Sequence, residues 1–324
     1  MSKAIRFEEQ GGPEVLNWTE VDVGEPGEGE LRLRHTAVGL NFIEIYQRNG
    51  LYAMELPSGL GMEAAGTVEA VGVGVTAFKP GDRVAYGFGP TGAYAETRLI
   101  PADKVVALPD EIDDRTAAAS MLKGMTAQYL LHRTFRLKSG DTALIHAAAG
   151  GVGTLLCQWA RHLGATVIGT AGSDEKLAMA RANGCHHVIA YKHEDFVERV
   201  RELTDGQGVN VVYDGVGKAT FEGSLDCLRR LGTMVSYGNA SGAVDAVKPL
   251  DLARRGSLFF TRPLLPHYIA TREELEETTR SLFDAIISGA VTVKIGQTYP
   301  LKDAGRAQSD LEARQTHGAT VLLP

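Results

Sequence analysis

The chain has 324 residues, long for one hydrophobic core, so two domains are the natural expectation. Its 44% hydrophobic and 23% charged composition is that of an ordinary globular protein, and a formal charge of −7 argues against general affinity for nucleic acid or an anionic membrane surface. Three widely spaced cysteines, Cys157, Cys185 and Cys227, suggest neither a disulfide framework nor a cysteine metal cluster.

The N-terminus, Met1-Ser-Lys-Ala-Ile-Arg-Phe, lacks the apolar segment of a signal peptide, and a cytoplasmic location is the expectation. The first 120 residues read as β-rich. Strands are predicted at 4–7, 30–38, 67–73, 83–86 and 92–100, with turns at Gly11-Gly-Pro-Glu14 and Lys79-Pro-Gly-Asp82, as in a compact barrel-like domain. Near Thr116 the pattern changes, and 117–131 reads as an alanine- and leucine-rich helix.

From Asp141 strands and helices alternate. Strands are predicted at 143–147, 166–170, 187–190, 209–213 and 233–237, and the helices between them at 152–163, 174–183, 194–203 and 218–230. Such alternation implies a parallel sheet wrapped by helices. After 258–261, a helix at 272–288 and the tail 301–323 look like a return to the first domain.

The segment from Asp141 to Ala165 carries the most chemistry. It reads as strand, glycine turn and helix, with Val152, Leu155, Leu156, Trp159, Ala160 and Leu163 at helical spacing. Cys157 falls on the apolar side of that helix and reads as a buried thiol. Gly150, Gly151 and Gly153 let backbone amides approach a diphosphate at a helix N-terminus, where free N–H groups and the helix dipole favour an anion. The first glycine of the G-x-G-x-x-G pattern is Ala148 here. The uncharged run 142–160 is long enough to raise the question of a membrane span, but its three glycines and strand-turn-helix pattern mark a buried βα unit.

An NAD site usually ends its second strand with an acid for the ribose 2′-hydroxyl. Here that tip reads Gly169-Thr-Ala-Gly-Ser-Asp-Glu-Lys176, with Thr170 and Ala171 where the acid is expected. Ser173 and Lys176 suit a 2′-phosphate, and the missing acid points to NADPH, although Asp174 and Glu175 sit beside the proposed anion site.

The motifs Gly11-Gly-Pro-Glu-Val-Leu16, Gly39-Leu-Asn-Phe-Ile43, Gly50-Leu-Tyr52, Ala64-Ala-Gly-Thr-Val68, Pro80-Gly-Asp-Arg-Val84, Gly92-Ala-Tyr94, Lys123-Gly-Met-Thr-Ala127 and Ala147-Ala-Ala-Gly-Gly-Val-Gly153 occur in this order. Together they resemble the zinc-free, zeta-crystallin-like quinone oxidoreductases of the medium-chain dehydrogenase/reductase superfamily. The resemblance spans nearly the whole chain. It implies an α/β protein with a GroES-like β-rich catalytic domain at 1–123 and 262–324 and a Rossmann doubly wound parallel-sheet domain at 124–261. It also implies NADPH as cofactor and, commonly, a homodimer.

Zinc relatives in that superfamily carry a Gly-His-Glu segment and an early cysteine ligand. This chain has Gly61-Met62-Glu63 and the Asn41 segment in those places, so no metal is expected. By the same resemblance, Asn41, Phe42 and Tyr46 stand beside the nicotinamide, and Thr126 meets its carboxamide, flanked by Lys123 and Tyr129. Gly150, Gly151 and Val152 meet the pyrophosphate, and Gly172, Ser173, Lys176 and Tyr191 the 2′-phosphate. Val216, Gly238 and Asn239 sit at later strand ends, followed by Phe260, Thr261 and Arg262, with Arg314 in the last helix as a further cofactor contact.

The implied reaction is reduction of a quinone by NADPH. Asn41, Tyr46, Tyr52 and Arg262 are the candidates for orienting the reaction or stabilising charge on the acceptor oxygen. Two alternatives share the fold: an NADPH-dependent alkenal or enone reductase, and a non-enzymatic NADPH- or RNA-binding protein. The acidic balance disfavours the RNA reading.

Overall fold

The computed structural model describes residues 2–324. The described residues divide into two units: 2–125 with Ile269–Ile287 and Val293–Pro324, and Thr126–Tyr268 with Ser288–Thr292. Among the described residues no helix is long and apolar enough to cross a membrane.

The first unit is built on a seven-stranded, largely antiparallel sheet and a three-stranded one. The strand Glu30–Leu40 shows how sequence sets its place. Leu31, Leu33, His35 and Ala37 alternate inward, and from Ala37 every residue is buried. That buried end lies between Glu63–Val71 on one side and Ala319–Leu323 on the other, with Thr320 opposite Leu40. The end of the chain thus completes the sheet begun near its start, and Leu301, Ala304, Ala307 and Leu322 join the same core as Ile5 and Phe7.

The second unit holds six parallel strands. Their order is His187–Ala190, Thr166–Ala171, Thr142–Ile145, Val209–Asp214, Leu228–Ser236, Phe259–Thr261. In chain order this is 3-2-1-4-5-6, the doubly wound arrangement. The order reverses between Thr142–Ile145 and Val209–Asp214, so the crevice beyond their carboxyl ends is the expected ligand position.

Three expected elements differ. The strand predicted at 92–100 begins only at Thr97, because Gly92, Ala93 and Tyr94 donate their N–H groups to Gly61 and Leu60. The helix predicted at 218–230 is shorter, Phe221–Cys227. Its start is delayed because Asp214 captures the N–H groups of Val216 and Gly217 and the hydroxyl of Thr220; residue 228 already begins a strand. Arg314 is not in the last helix. That helix ends at Glu312, and Arg314 lies beyond it with φ +59°.

Candidate active site

In the second unit the cofactor candidates other than Thr126 and Tyr129 follow the carboxyl ends of the parallel strands or lie in the last of them. The helix Gly151–His162 begins at the N-cap Gly150, which has no side-chain cap, so its first-turn N–H groups have no intrahelical acceptor and suit an anion. Gly153 is required by packing: a Cβ there would stand 2.2 Å from the Ala147 carbonyl oxygen. Ala147 itself takes φ +51°, a left-handed turn that usually favours glycine. The departure at Ala148 is also explained. Its methyl is received by Gly169 on the next strand, where an added Cβ would come within 2.7 Å of it. The Ala148 N–H donates to the Thr170 carbonyl at 3.0 Å, fastening the glycine loop to the neighbouring strand tip.

That tip collects the phosphate candidates. A Cβ on Gly172 would lie 2.5 Å from the Tyr191 hydroxyl, so glycine lets Tyr191 lean against it. Ser173 is the N-cap of the helix Asp174–Ala182, and its Oγ accepts the Lys176 N–H. Gly172, Ser173, Lys176 and Tyr191 are thus neighbours, with Ser173 exposed and Lys176 half-buried. Asp174 and Glu175 occupy the first helical turn, where the dipole favours acids.

The switch-point loops are held by a buried polar network that sequence reading missed. Asp214 accepts from the Val216 N–H at 2.7 Å, the Gly217 N–H at 3.1 Å, Thr220 Oγ at 2.7 Å and Ser224 Oγ at 3.3 Å. His146 links this set to the second strand: Nδ1 lies 3.0 Å from Thr170 Oγ and Nε2 lies 3.0 Å from Ser224 Oγ. The other Ser224 partners, Asp214 and the Thr220 carbonyl, are both acceptors. The Ser224 hydroxyl therefore accepts from His146 Nε2–H, leaving Nδ1 to accept from Thr170. Burial lowers the His146 pKa, opposed by the charge of Asp214, so the ring is neutral.

Val216 lies in the loop fixed by Asp214. Ser241 N–H donates to its carbonyl at 2.8 Å, lacing this loop to the one bearing Gly238 and Asn239. Gly238 packs on Gly215, whose carbonyl oxygen would be 2.5 Å from an added Cβ. Thr126 is half-buried; Tyr129 is buried and stacks on Tyr268 with ring centres 4.3 Å apart. Phe260, half-buried, turns its ring onto Phe221 at the edge of the core, Thr261 pairs with Val235, and Arg262 Nη1 donates to the Pro263 carbonyl.

The first unit holds the remaining candidates. Asn41 is the N-cap of the short helix Phe42–Arg48 and forms a capping box with Glu44, whose Oε2 accepts the Asn41 N–H at 2.6 Å. Phe42, Tyr46 and Tyr52 form an aromatic run: Tyr46 lies 6.0 Å from Phe42 and meets Tyr52 edge-on at 5.3 Å. The Tyr52 N–H donates to the Tyr46 carbonyl at 2.9 Å, holding the loop against the helix. Lys123 is only 5% exposed, and its ammonium lies 3.0 Å from Glu63 Oε2. The same carboxylate accepts the Asn41 amide at 2.9 Å and, through Oε1, the Leu122 N–H at 2.7 Å. Arg314 is exposed at the turn after the last helix.

Glu44 is the second buried acid of the array. Burial pushes its pKa up to about 8, against the lowering effect of Lys123, while the charge of Glu63 adds to the rise. Neither Glu44 nor Glu63 was among the candidate residues. Asn41 and Glu44 three residues apart carried the capping-box signal for one of them.

Residues 27–110 match the alcohol dehydrogenase GroES-like domain, and residues 151–282 the zinc-binding dehydrogenase family. The chain is 53% identical over 325 residues to a quinone oxidoreductase of Pseudomonas aeruginosa, covering 100% of both proteins. The chain belongs to the zeta-crystallin-like quinone oxidoreductases. Within this family, the crystal structure of Escherichia coli quinone oxidoreductase complexed with NADPH superimposes with a TM-score of 0.98 at 50% identity, covering 99% of this chain and 100% of that one. A 2-haloacrylate reductase of Burkholderia sp is 50% identical over 100% of this chain and 99% of its own length.

The donor set does not fit the zinc ion named in one family description. A tetrahedral site needs several thiolate, imidazole or carboxylate ligands. Met62 offers a thioether that accepts from Gln47 Nε2 at 3.5 Å, and the Glu63 oxygens are engaged by Leu122, Asn41 and Lys123. Among the described residues no group of three or more His, Cys, Asp or Glu side chains is placed to hold a metal.

Proposed function

We propose that this protein is an NADPH-dependent quinone reductase that works without zinc. The observation that carries the reading is full-length identity of 53% to a quinone oxidoreductase. Bound NADPH supplies the hydride, and one proton completes conversion of the quinone to the hydroquinone. We assign the pyrophosphate to the N–H groups of Gly151 and Val152, with Gly150 giving the backbone room. Gly172, Ser173, Lys176 and Tyr191 receive the 2′-phosphate. Thr126, Tyr129, Val216, Gly238, Asn239, Phe260, Thr261 and Arg314 complete the proposed cofactor set, several of them through backbone position rather than side chain.

On the acceptor side, the hydroxyls of Tyr46 and Tyr52 and the guanidinium of Arg262 stabilise negative charge on the acceptor oxygen. Asn41, Phe42 and Lys123 orient the nicotinamide. A homodimer fits the edge strand Phe259–Thr261, where Phe259 is 61% exposed beside unpaired strand edge.

The 50% identity to a 2-haloacrylate reductase favours activated alkenes as a second acceptor class. One experiment tests both: NADPH oxidation with a panel of quinones, enones and haloacrylates, before and after dialysis against a strong chelator. Quinone turnover that survives chelation is expected. Turnover confined to alkenes moves the acceptor assignment, and loss of activity together with stoichiometric zinc refutes the zinc-free mechanism.

A further inference from the structure

Glu63 has no role in the assignment above, yet it is 0% exposed and ionically paired. Burying an ion pair is expensive. An apolar side chain of similar volume commonly serves stability as well or better, so a buried pair is weak evidence for a purely stabilising role. The chain also makes room for this acid. Gly39, on the facing strand, leaves a space in which an added Cβ would stand 2.2 Å from Glu63 Oε2 and 2.3 Å from the Ala118 carbonyl oxygen. Oε1 is anchored by the Leu122 N–H, so the carboxylate is fixed by backbone before it meets any side chain. Oε2 then holds two groups at once, the Lys123 ammonium at 3.0 Å and the Asn41 amide at 2.9 Å.

We propose that Glu63 is a positioning residue for the reduction: its backbone-anchored carboxylate locks the Lys123 ammonium and the Asn41 carboxamide into one array at the N-cap of the helix that carries Tyr46. This rests on the quinone reductase reading. The array places a fixed positive charge and an oriented amide at the acceptor-side residues, where preorganised charge acts most strongly. A lysine without its carboxylate, in a site that is nearly closed to water, loses its proton more readily or leaves the array.

The test is a double-mutant cycle on the full chain with Glu63→Gln, Lys123→Gln and the pair combined. Glu63→Gln is expected to lower kcat about 10- to 100-fold, the scale of a charge-assisted hydrogen bond, while the Kd for NADPH changes little. In the Lys123→Gln background the same change costs nothing further, because a glutamine oxygen still accepts the Asn41 amide and the charge of Glu63 acts through Lys123. A second readout does not depend on turnover. NMR of 13C-dimethylated lysines should show the Lys123 signal displaced in Glu63→Gln from its parental position, with partial recovery in Glu63→Asp.

Parental kcat and an unmoved Lys123 signal in a folded Glu63→Gln protein overturn the proposal, as do additive losses in the double variant. If Glu63→Gln does not fold, the neutral double variant decides: kcat equal to that of Lys123→Gln supports positioning, and a lower kcat overturns it. A parent that reduces no quinone refutes the functional reading instead, and the lysine signal still reports on the array.

Discussion

Replacing Glu44 by Gln should change the pH dependence of stability in a defined direction. Glu44 is 0% exposed, and its pKa is pushed from 4.5 to about 8, first by burial and then by the charge of Glu63, against Lys123 and the Asn41 N–H. A carboxyl with a raised pKa binds its proton more tightly when folded than when unfolded. Its contribution is therefore complete below pH 4.5 and is lost as pH rises through about 8. Over that interval the loss is roughly 1.4 kcal/mol per pH unit, about 5 kcal/mol in all. Gln keeps an oxygen for the Asn41 N–H and cannot ionise. The stability gap between Glu44→Gln and parent should widen in favour of the variant from pH 5 to pH 8 by about 3 to 4 kcal/mol, then level off. For a unit of this size that is on the order of 10 °C in Tm. Urea unfolding and thermal melts of both proteins across pH 5 to 9, followed by tryptophan fluorescence, measure it. Parallel pH curves for the two proteins refute the reasoning, because they mean that Glu44 does not carry the proton.

Lys176→Ala should raise the KM for NADPH about tenfold and leave NADH unchanged; the lower end of the range for a charged hydrogen bond applies because Lys176 is half-exposed. Steady-state kinetics with both cofactors check this, and equal use of NADPH and NADH by the parent defeats it. His35 is buried, with Nδ1 2.7 Å from the Ala95 carbonyl and Nε2 2.9 Å from the Tyr86 hydroxyl, and burial lowers its pKa to about 4. Its contribution to stability is full above pH 6.5 and falls by about 3 kcal/mol as pH drops toward 4; an NMR midpoint near 6.5 in the folded protein would contradict this. Tyr52→Phe or Tyr46→Phe should lower quinone turnover while the fluorescence-titrated Kd for NADPH holds, since charge on the acceptor oxygen develops mainly in the transition state. Parental turnover in both variants for every quinone assigns protonation to solvent.

What could be read from the sequence was local. The unit from Asp141 to Ala165 announces itself because strand, glycine turn and amphipathic helix are contiguous, and Ser173 caps its helix three residues before Lys176. Even the missing glycine at Ala148 has a local remedy in Gly169, although only the sheet register reveals it. The buried arrays were not legible. Glu63 meets Asn41 and Lys123 from a strand and two helices at separations of 22 and 60 residues, and His146 meets Ser224 across 78. Polar residues in such contacts carry no periodic signal, and a capping box at Asn41 and Glu44 names a helix start, not a buried acid. The shortened helix at Phe221–Cys227 has the same cause: Asp214 claims the loop through tertiary hydrogen bonds that helix propensity does not see.

On the proposed assignment, the two arrays differ in a way that separates binding from chemistry. Around Asp214 the donors are two backbone N–H groups and two hydroxyls, none of which titrates near neutral pH, and His146 beside them is held neutral by burial. The proposed cofactor loops they fix should therefore hold their shape across the neutral and alkaline range. The first-unit array instead sets two buried acids around one lysine, and the second acid ionises near pH 8. Ionised Glu44 adds negative charge beside Lys123 and opposes charge growing on the reduced acceptor. It follows that kcat should decline with an apparent midpoint near pH 8 while the Kd for NADPH stays flat, and that Glu44→Gln should remove the decline. If Kd and kcat fall together, the alkaline limb belongs to cofactor binding, and the separation of the two networks fails.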